Sequence, residues 1–325
     1  MSGDNGPAPA VLASIKILAN HPHLSITLVG READISPLIA KADGVLRERL
    51  TILHVPDVVG MSDKPSQVLR NRANTSMSAA LQLVRDGHDA CVSAGNTGAL
   101  MLLSRSILKT HPEIDRPAII KRIPSSFNVC YVVDLGANVD CRAEHLFQFA
   151  LMGAAMVEAM EGRDSPKVAL LNVGEEETKG NEQVRLASRM MAESPSLNYS
   201  GFIEGDALFK TDVNVVVCDG FVGNVALKTG EGVGRMMAEL LRQQFRDGWY
   251  GRFVGLLAAP LLKRLLSILD PSRHNGASLV GLTRTVVKCH GNSQVTGFEC
   301  AILQAMVEAE HHVPQKVYAR LDELL

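Results

Sequence analysis

The chain reads as an α/β protein built on a mostly parallel sheet covered by helices on both faces. Three observations lead there. Short β-branched apolar runs alternate with amphipathic helical segments along nearly all of the 325 residues, as βα units sharing one sheet do. Five of those runs end in polar loops rich in glycine, asparagine and aspartate, the place where open α/β sheets hold ligands. The composition is 46% hydrophobic and 21% charged with a net charge of −2, which suits a soluble globular enzyme and gives no global attraction to nucleic acid.

The strands are apolar runs bounded by Gly, Asn or Asp, and the helices keep apolar residues three and four apart. A helical stretch over 7–20 precedes a strand at 24–29, a helix at 33–42 and a strand at 51–55. Residues 66–86 keep helical spacing and read as one long helix, leading to a strand at 89–93 and a helix at 96–109. Extended runs at 117–122 and 129–134 precede a helix over 143–161. A strand at 167–173, a helix at 181–193 and strands at 200–204 and 213–218 follow. A long helical region, a strand at 284–289 and helices at 293–312 and 314–324 complete the chain. No repeat, low-complexity tract or linker divides it, so a single domain over 1–325 is expected.

One segment breaks the rhythm. Over 232–272 no strand pattern appears, and a protruding amphipathic helical insertion is predicted. Val233, Met236, Met237, Leu240 and Leu241 share one helical face, opposite Arg235, Glu239, Arg242 and Arg246. Beyond Gly248 comes an apolar stretch with the only tryptophan, Trp249, followed by Phe253, Leu256 and Leu257, and with Pro260 to bend it. Arg242, Arg246, Arg252, Lys263 and Arg264 stand against a single acid, Asp247, across 242–264. A basic, aromatic-tipped apolar helix pair has the make-up of an interfacial membrane anchor. Packing at a subunit interface explains it equally well, and both hold if paired helices expose their tips.

Six cysteines include no CxxC pair, and several fall in buried strand patterns, which indicates a reduced, cytoplasmic setting. His21, His23, His311 and His312 lack partners at ligand spacing, so neither a metal nor a cofactor is expected. No signal peptide opens the chain, and no apolar run is long enough to cross a bilayer.

The polar loops carry the chemistry. The most informative is 174–182, with Glu175, Glu176, Glu177, Thr178, Lys179 and Asn181. Three adjacent carboxylates repel one another, so Lys179 is read as functional; the alternative is a solvated turn whose acids favour the next helix. The strand at 89–93 empties into Ser93, Gly95, Asn96, Thr97 and Gly98. The next loops deliver Asp134, Gly136 and Asn138, then Asp219, Gly220 and Asn224, and last Lys288, His290 and Ser293. Asp4 and Asn5 follow a glycine near the start. Glycine allows close backbone approach, and N–H groups at a helix start suit an anion such as phosphate. The fold is expected to bring these tips together around a small oxyanion beside an apolar channel. Covalent nucleophiles are not evident. Gly230, Gly232 and Gly234 lack dinucleotide-binding spacing, there is no Walker A loop, and Ser93 is one glycine short of a nucleophile elbow. Cys289 and His290 are adjacent on a strand and would face opposite sides. Direct transfer between two bound substrates is favoured.

The strings MSGDNGP, SAGNTGA, VDLGANVDC, GEEETKGNE, CDGFVGNVALK and KxHGxS occur in this order, and with them the chain resembles the bacterial phosphate acyltransferases of phospholipid synthesis from Gly3 to about residue 310. The resemblance implies conversion of long-chain acyl-acyl-carrier-protein and inorganic phosphate to acyl phosphate. It implies a three-layer α/β/α sandwich related to phosphotransacetylases and isocitrate dehydrogenase-type folds. It also implies a homodimer attached peripherally to the inner, anionic face of the cell membrane. In such a reaction Lys179 and His290 are the candidates to neutralise developing charge or protonate the departing thiolate, and Asn224 to orient a phosphate oxygen or the thioester. The amides of 95–98 and 220–224 are candidate oxyanion donors, and the basic hairpin is a docking surface for the acidic carrier protein or for lipid. A short-chain phosphotransacetylase using acyl-coenzyme A and a non-catalytic membrane-recruiting scaffold are the alternatives. The family normally has a strand running into Met-Gly-Gly-Asp, whereas this chain begins at that methionine and carries Ser2. A natural start further upstream is therefore expected, and without that strand an unfilled sheet position beside the cleft.

Overall fold

The computed structural model describes residues 1, 3–40, 44–70, 75–125, 128–246, 248–263 and 275–324. The chain opens with α1 (Ala8–Asn20), and β1 (Ile26–Gly30) and β2 (Leu50–His54) then pair in parallel through α2 (Glu32–Ile39) and α3 (Gly44–Arg47). Val11, Leu18, Leu28, Ile35 and Leu50 close a small core between them. The expected helix at 66–86 is two helices, α4 (Pro65–Arg70) and α5 (Ser76–Arg85), the second capped by Thr75, whose hydroxyl accepts from Ser78 N.

The main sheet has eight strands: β3 (Ala90–Ser93), β4 (Ala118–Ile123), β5 (Cys130–Val133), β6 (Lys167–Leu171), β7 (Asn198–Ile203), β8 (Val215–Val217), β9 (Ala277–Val280) and β10 (Thr285–Lys288). Their spatial order is β3-β10-β9-β4-β5-β8-β6-β7. Four of the seven pairings are parallel. The other three, β10–β9, β9–β4 and β4–β5, are antiparallel. β9 was not foreseen from the sequence.

Helices cover both faces. On one side α7 (Ala143–Glu161) buries Phe149, Leu151, Met152 and Met156 against Val133, Val168, Val215 and Val217. Its Gly153 lets the helix approach, since a Cβ there would sit 2.6 Å from Val215 Cγ1. α11 (Val295–Glu310) and α12 (Val313–Leu324) continue this layer, with Arg320 bonded to Glu158 at 3.0 Å. α5 and α6 (Thr97–Leu108) cover the other face over Cys91, Ile119, Val132 and Val286. The layers make the three-layer α/β/α sandwich that was expected.

The chain direction matters most for the site. Because three successive pairings are antiparallel, β3 and β10 run opposite to β5, β6, β7 and β8. The loops after β3 and β10 leave one edge of the sheet, and those after β5, β6 and β8 leave the other. β10 and β6 are five positions apart, roughly 24 Å at ordinary strand spacing. The five tips, expected at one cleft, thus leave from two ends of the sheet.

A protruding hairpin is present. α9 (Gly220–Arg246) runs for 27 residues, and α10 (Gly248–Leu257) folds back on it, with Gly255 against Phe245. Trp249 is 83% exposed and Leu256 76%. No helix among the described residues is long and apolar enough to cross a membrane. The Arg252 side chain and Arg264 lie outside the described residues.

Candidate active site

α9 joins the two edges. Asp219 caps its start, its Oδ1 accepting from Val222 N at 2.8 Å. The first turn lies against the loop after β5: Gly220 N donates to Asn138 O at 2.7 Å, and Gly136 faces the Asn224 side chain. Spacings of four and three then put Asn224, Lys228 and Glu231 on one face of the helix. That face carries Lys228 and Glu231 to the edge where β10 ends.

There five ionisable groups meet. Glu231 Oε2 accepts from Lys228 Nζ at 3.0 Å and lies 3.7 Å from His290 Nε2, while its Oε1 is 3.8 Å from Lys121 Nζ. Lys228 Nζ also donates to His290 Nε2. Lys288 enters from β10, with Nζ bonded to the Cys289 carbonyl. The Lys121 and Glu231 side chains are each only 8% exposed, whereas Lys228 and His290 keep about 40% of theirs. The buried pair forms the floor and the other two face solvent.

Environment sets the charges. Burial pushes the Lys121 ammonium below its ordinary value, against the pull of Glu231. Burial disfavours the charged form of Glu231, yet Lys228, Lys121 and His290 together hold its carboxyl below the usual value. Burial, reinforced by Lys228, also lowers His290, which keeps the imidazole neutral at pH 7 and able to accept from Lys228. Burial takes Lys288 down to about 8. Positive charge exceeds negative here, a setting for an anion.

Many expected ligands turn out to shape loops. Asp134 is fully buried, accepting from Ile119 N at 2.8 Å, Ala137 N at 3.1 Å and Asn138 N at 2.6 Å, and burial raises its pKa. Asn138 Nδ2 reaches Pro117 O at 2.9 Å. Asn96 caps α6 through Ala99 N and donates to Met61 O and Asp63 O at 2.9 and 3.1 Å, while Gly98 leaves room for Pro65. Asn181 caps α8 (Glu182–Glu193) through Val184 N. Ser293 accepts from Asn275 Nδ2 at 2.6 Å, and Asn5 ties the N-terminal segment to Asn292 O at 3.0 Å. Ser93 Oγ accepts from Gly95 N at 3.3 Å. These contacts hold the loops in place, and the buried Asp134, Asn138 and Asn96 are already satisfied by them.

Other expectations meet the site differently. The amides of Gly220, Val222 and Gly223 donate to Asn138 O, Asp219 Oδ1 and Asp219 O respectively. Asp4 packs beside Gly291 and acts on Lys288, so it belongs to the cluster's surroundings. Thr97 opens α6 at the β3 edge. Glu175, Glu177 and Lys179 are exposed on the loop after β6, and no hydrogen bond or ion pair among the described residues joins them to His290 or Lys228. The solvated-turn alternative describes the carboxylates as they stand.

Relatives decide the family. A family model described as "Fatty acid synthesis protein" matches residues 1–316. A phosphate acyltransferase of Marinobacter nauticus is 52% identical over all of this chain and 95% of its own length. One of Pseudomonas aeruginosa is 50% identical over all of this chain and 97% of its own. The chain belongs to the phosphate acyltransferase family. It is an acyltransferase enzyme that forms acyl phosphate. Among solved structures, a phosphotransacetylase from Streptococcus pyogenes superposes with a TM-score of 0.64 at 16% identity, over 94% of this chain and 92% of that one. A 4-hydroxythreonine-4-phosphate dehydrogenase from Klebsiella pneumoniae follows with 0.52 at 15% identity, over 93% and 96%. Both likenesses concern the fold alone.

Lys121, Lys228 and Glu231 were not among the residues expected at the site, and Lys288 was expected only as part of the last loop. A signal existed for each. Period-two alternation places Lys121 on the strand face of Ile119 and Ile123, both buried, where a lone lysine needs a partner. Lys228 and Glu231 fall on the helical face of Asn224.

Proposed function

We propose that the cationic cluster at the junction of α9, β4 and β10 holds inorganic phosphate for attack on the thioester of a long-chain acyl-acyl-carrier-protein. The observation that carries this reading is the convergence of Lys121, Lys228 and His290 on one buried carboxylate, with Lys288 close enough to act on Lys228 and His290. Lys228 and Lys288 fix the phosphate by charge, and Asn224, one turn before Lys228, orients the thioester or a phosphate oxygen. A phosphate oxygen adds to the carbonyl carbon, the C–S bond breaks, and the proton carried by hydrogen phosphate ends on the thiol. His290, in contact with Lys228, is placed to pass that proton. Lys179 is assigned no step in this arrangement.

The acyl chain lies along the other flank of α9. A groove of about 380 Å³ there is lined by Leu208, Phe209, Ala226, Gly230 and Val233. Val233, Met236, Met237 and Leu240 extend it as a half-exposed apolar stripe, which supports a second copy of the chain as partner. The α10 tip, with exposed Trp249, Phe253, Leu256 and Leu257 near the basic Arg242, Arg246 and Lys263, supports contact with an anionic membrane from the cytoplasmic side.

The test is direct. Purified protein, labelled phosphate and palmitoyl-carrier protein are incubated with and without anionic vesicles, and hydroxylamine-sensitive acyl phosphate is measured. Product from carrier protein but not from acetyl-coenzyme A supports the reading, and the reverse preference replaces it with short-chain transfer.

A further inference from the structure

Among the described residues, Glu231 differs from the other carboxylates in the company it keeps. It is nearly buried, and it touches three basic side chains brought by three separate elements: Lys121 from β4, Lys228 from its own helix and His290 from the loop after β10. Lys121 is equally buried, so the two form an internal pair whose remaining contacts face the accessible Lys228 and His290. A buried ion pair contributes little net stability and is costly to break. Its retention in the floor of a phosphate site therefore calls for another account.

We propose that Glu231, backed by Lys121, is a positioning residue that fixes the Lys228 ammonium against His290 and so builds the seat of the phosphate dianion. The inference rests on the phosphate reading of the same cluster. A lysine on a helix surface otherwise samples many rotamers, and an anion binding to it must bear the cost of ordering that side chain. Glu231 orders it in advance. One negative charge also keeps Lys121 and Lys228 from repelling one another apart, while Lys288 nearby leaves an excess of positive charge for the incoming ligand.

Among the described residues, four charged side chains act on His290 directly. Lys228 and Glu231 face it from α9, Lys288 from β10 and Lys121 from β4, and Asp4 of the N-terminal segment acts on Lys288. Among them only Glu231 favours the imidazolium, and the three lysines oppose it. Replacing Glu231 by a neutral amide must therefore lower the His290 titration further. Phosphate binding must raise it, because a dianion favours the protonated ring.

The experiment uses the full chain in three forms: Glu231→Gln, Glu231→Asp and the double variant Lys121→Met with Glu231→Gln, which removes the buried pair as a unit. Steady-state kinetics give KM for phosphate and kcat, and NMR of the His290 ring gives its titration with and without inorganic phosphate. Expected are a phosphate KM raised about tenfold in E231Q with a smaller change in kcat, and partial recovery in E231D. The His290 titration should move down in E231Q and up on adding phosphate to the unaltered protein. An unchanged or lower phosphate KM in a folded E231Q, or a His290 titration indifferent to Glu231, overturns the positioning role. If the unaltered protein forms no acyl phosphate and His290 ignores phosphate, the phosphate reading itself has failed. The two failures are thereby distinguishable.

Discussion

Lys288 shows how one side chain ties pH to substrate capture. Burial on β10 holds its ammonium down to about 8, with Lys228 pushing the same way and Asp4 resisting. Below that value the group is a cation beside the phosphate seat, and above it a neutral amine. The second-order rate constant reports ionisations of the free enzyme, so kcat/KM for phosphate should decline as pH rises through about 8. Lys288→Arg keeps its charge throughout this range because a guanidinium does not deprotonate in proteins. The variant should lose that alkaline decline, whatever its absolute rate. Kinetics across the range from about pH 6.5 to about 9.5 check this, and an identical alkaline limb in both proteins rules Lys288 out as its source. Residues such as Asp134 and Asn96 teach the complementary point, that a polar residue in a glycine-rich loop is often consumed by the loop.

At the level of elements, α9 holds two glycines with opposite requirements. A Cβ on Gly223 would land on the Asp134 carbonyl oxygen and lie 2.8 Å from Cys218 Sγ, whereas one on Gly232 meets nothing within 4 Å. Alanine is the better helix former, by about 1 kcal/mol in an exposed interior. Gly232→Ala should accordingly stabilise the protein by up to about 1 kcal/mol. Gly223→Ala should destabilise it by roughly 1–3 kcal/mol, since a backbone oxygen cannot step aside. Urea midpoints of the two variants test this, and equal shifts would refute the close approach of α9 to the β5 loop. The same helix marks what was legible beforehand. Its amphipathic spacing and the alternation of runs gave the layers and the protruding hairpin. Strand direction was legible too, but only from connection length. Six residues join β4 to β5 and four join β9 to β10, too few for a parallel crossover, which takes a dozen or more. Those two reversals, with β9 unrecognised, moved the β3 and β10 tips to the edge opposite Asp134 and Lys179. The lysine cluster stayed hidden because it assembles from three separate stretches of chain, around Lys121, Lys228–Glu231 and Lys288–His290.

For the molecule as a whole, one buried carboxyl outside the site sets a pH dependence of stability. Glu308 of α11 is only 3% exposed, and its Oε1 accepts from Ser278 of β9 and, at 2.8 Å, from Gln304. Beside it is a cavity of about 10 Å³, lined by Met156, Leu279, Val280 and Val317, with room for about one water. Burial outweighs these two hydrogen bonds and pushes the carboxyl up to about 7 from an ordinary 4.5. The folded state therefore binds a proton that the unfolded state has released between those values. Its contribution to stability is fully present below the unfolded pKa and is lost as pH rises through about 7. The full loss is on the order of 3 kcal/mol, reached near about pH 8. Glu308→Gln mimics the protonated form at every pH, so it should leave stability nearly unchanged at about pH 5 and raise it at about pH 8. Urea denaturation at the two pH values measures the difference. A variant whose advantage is the same at both would mean that Glu308 stays ionised in the folded protein, and that a cation or water not apparent in its surroundings supports the charge.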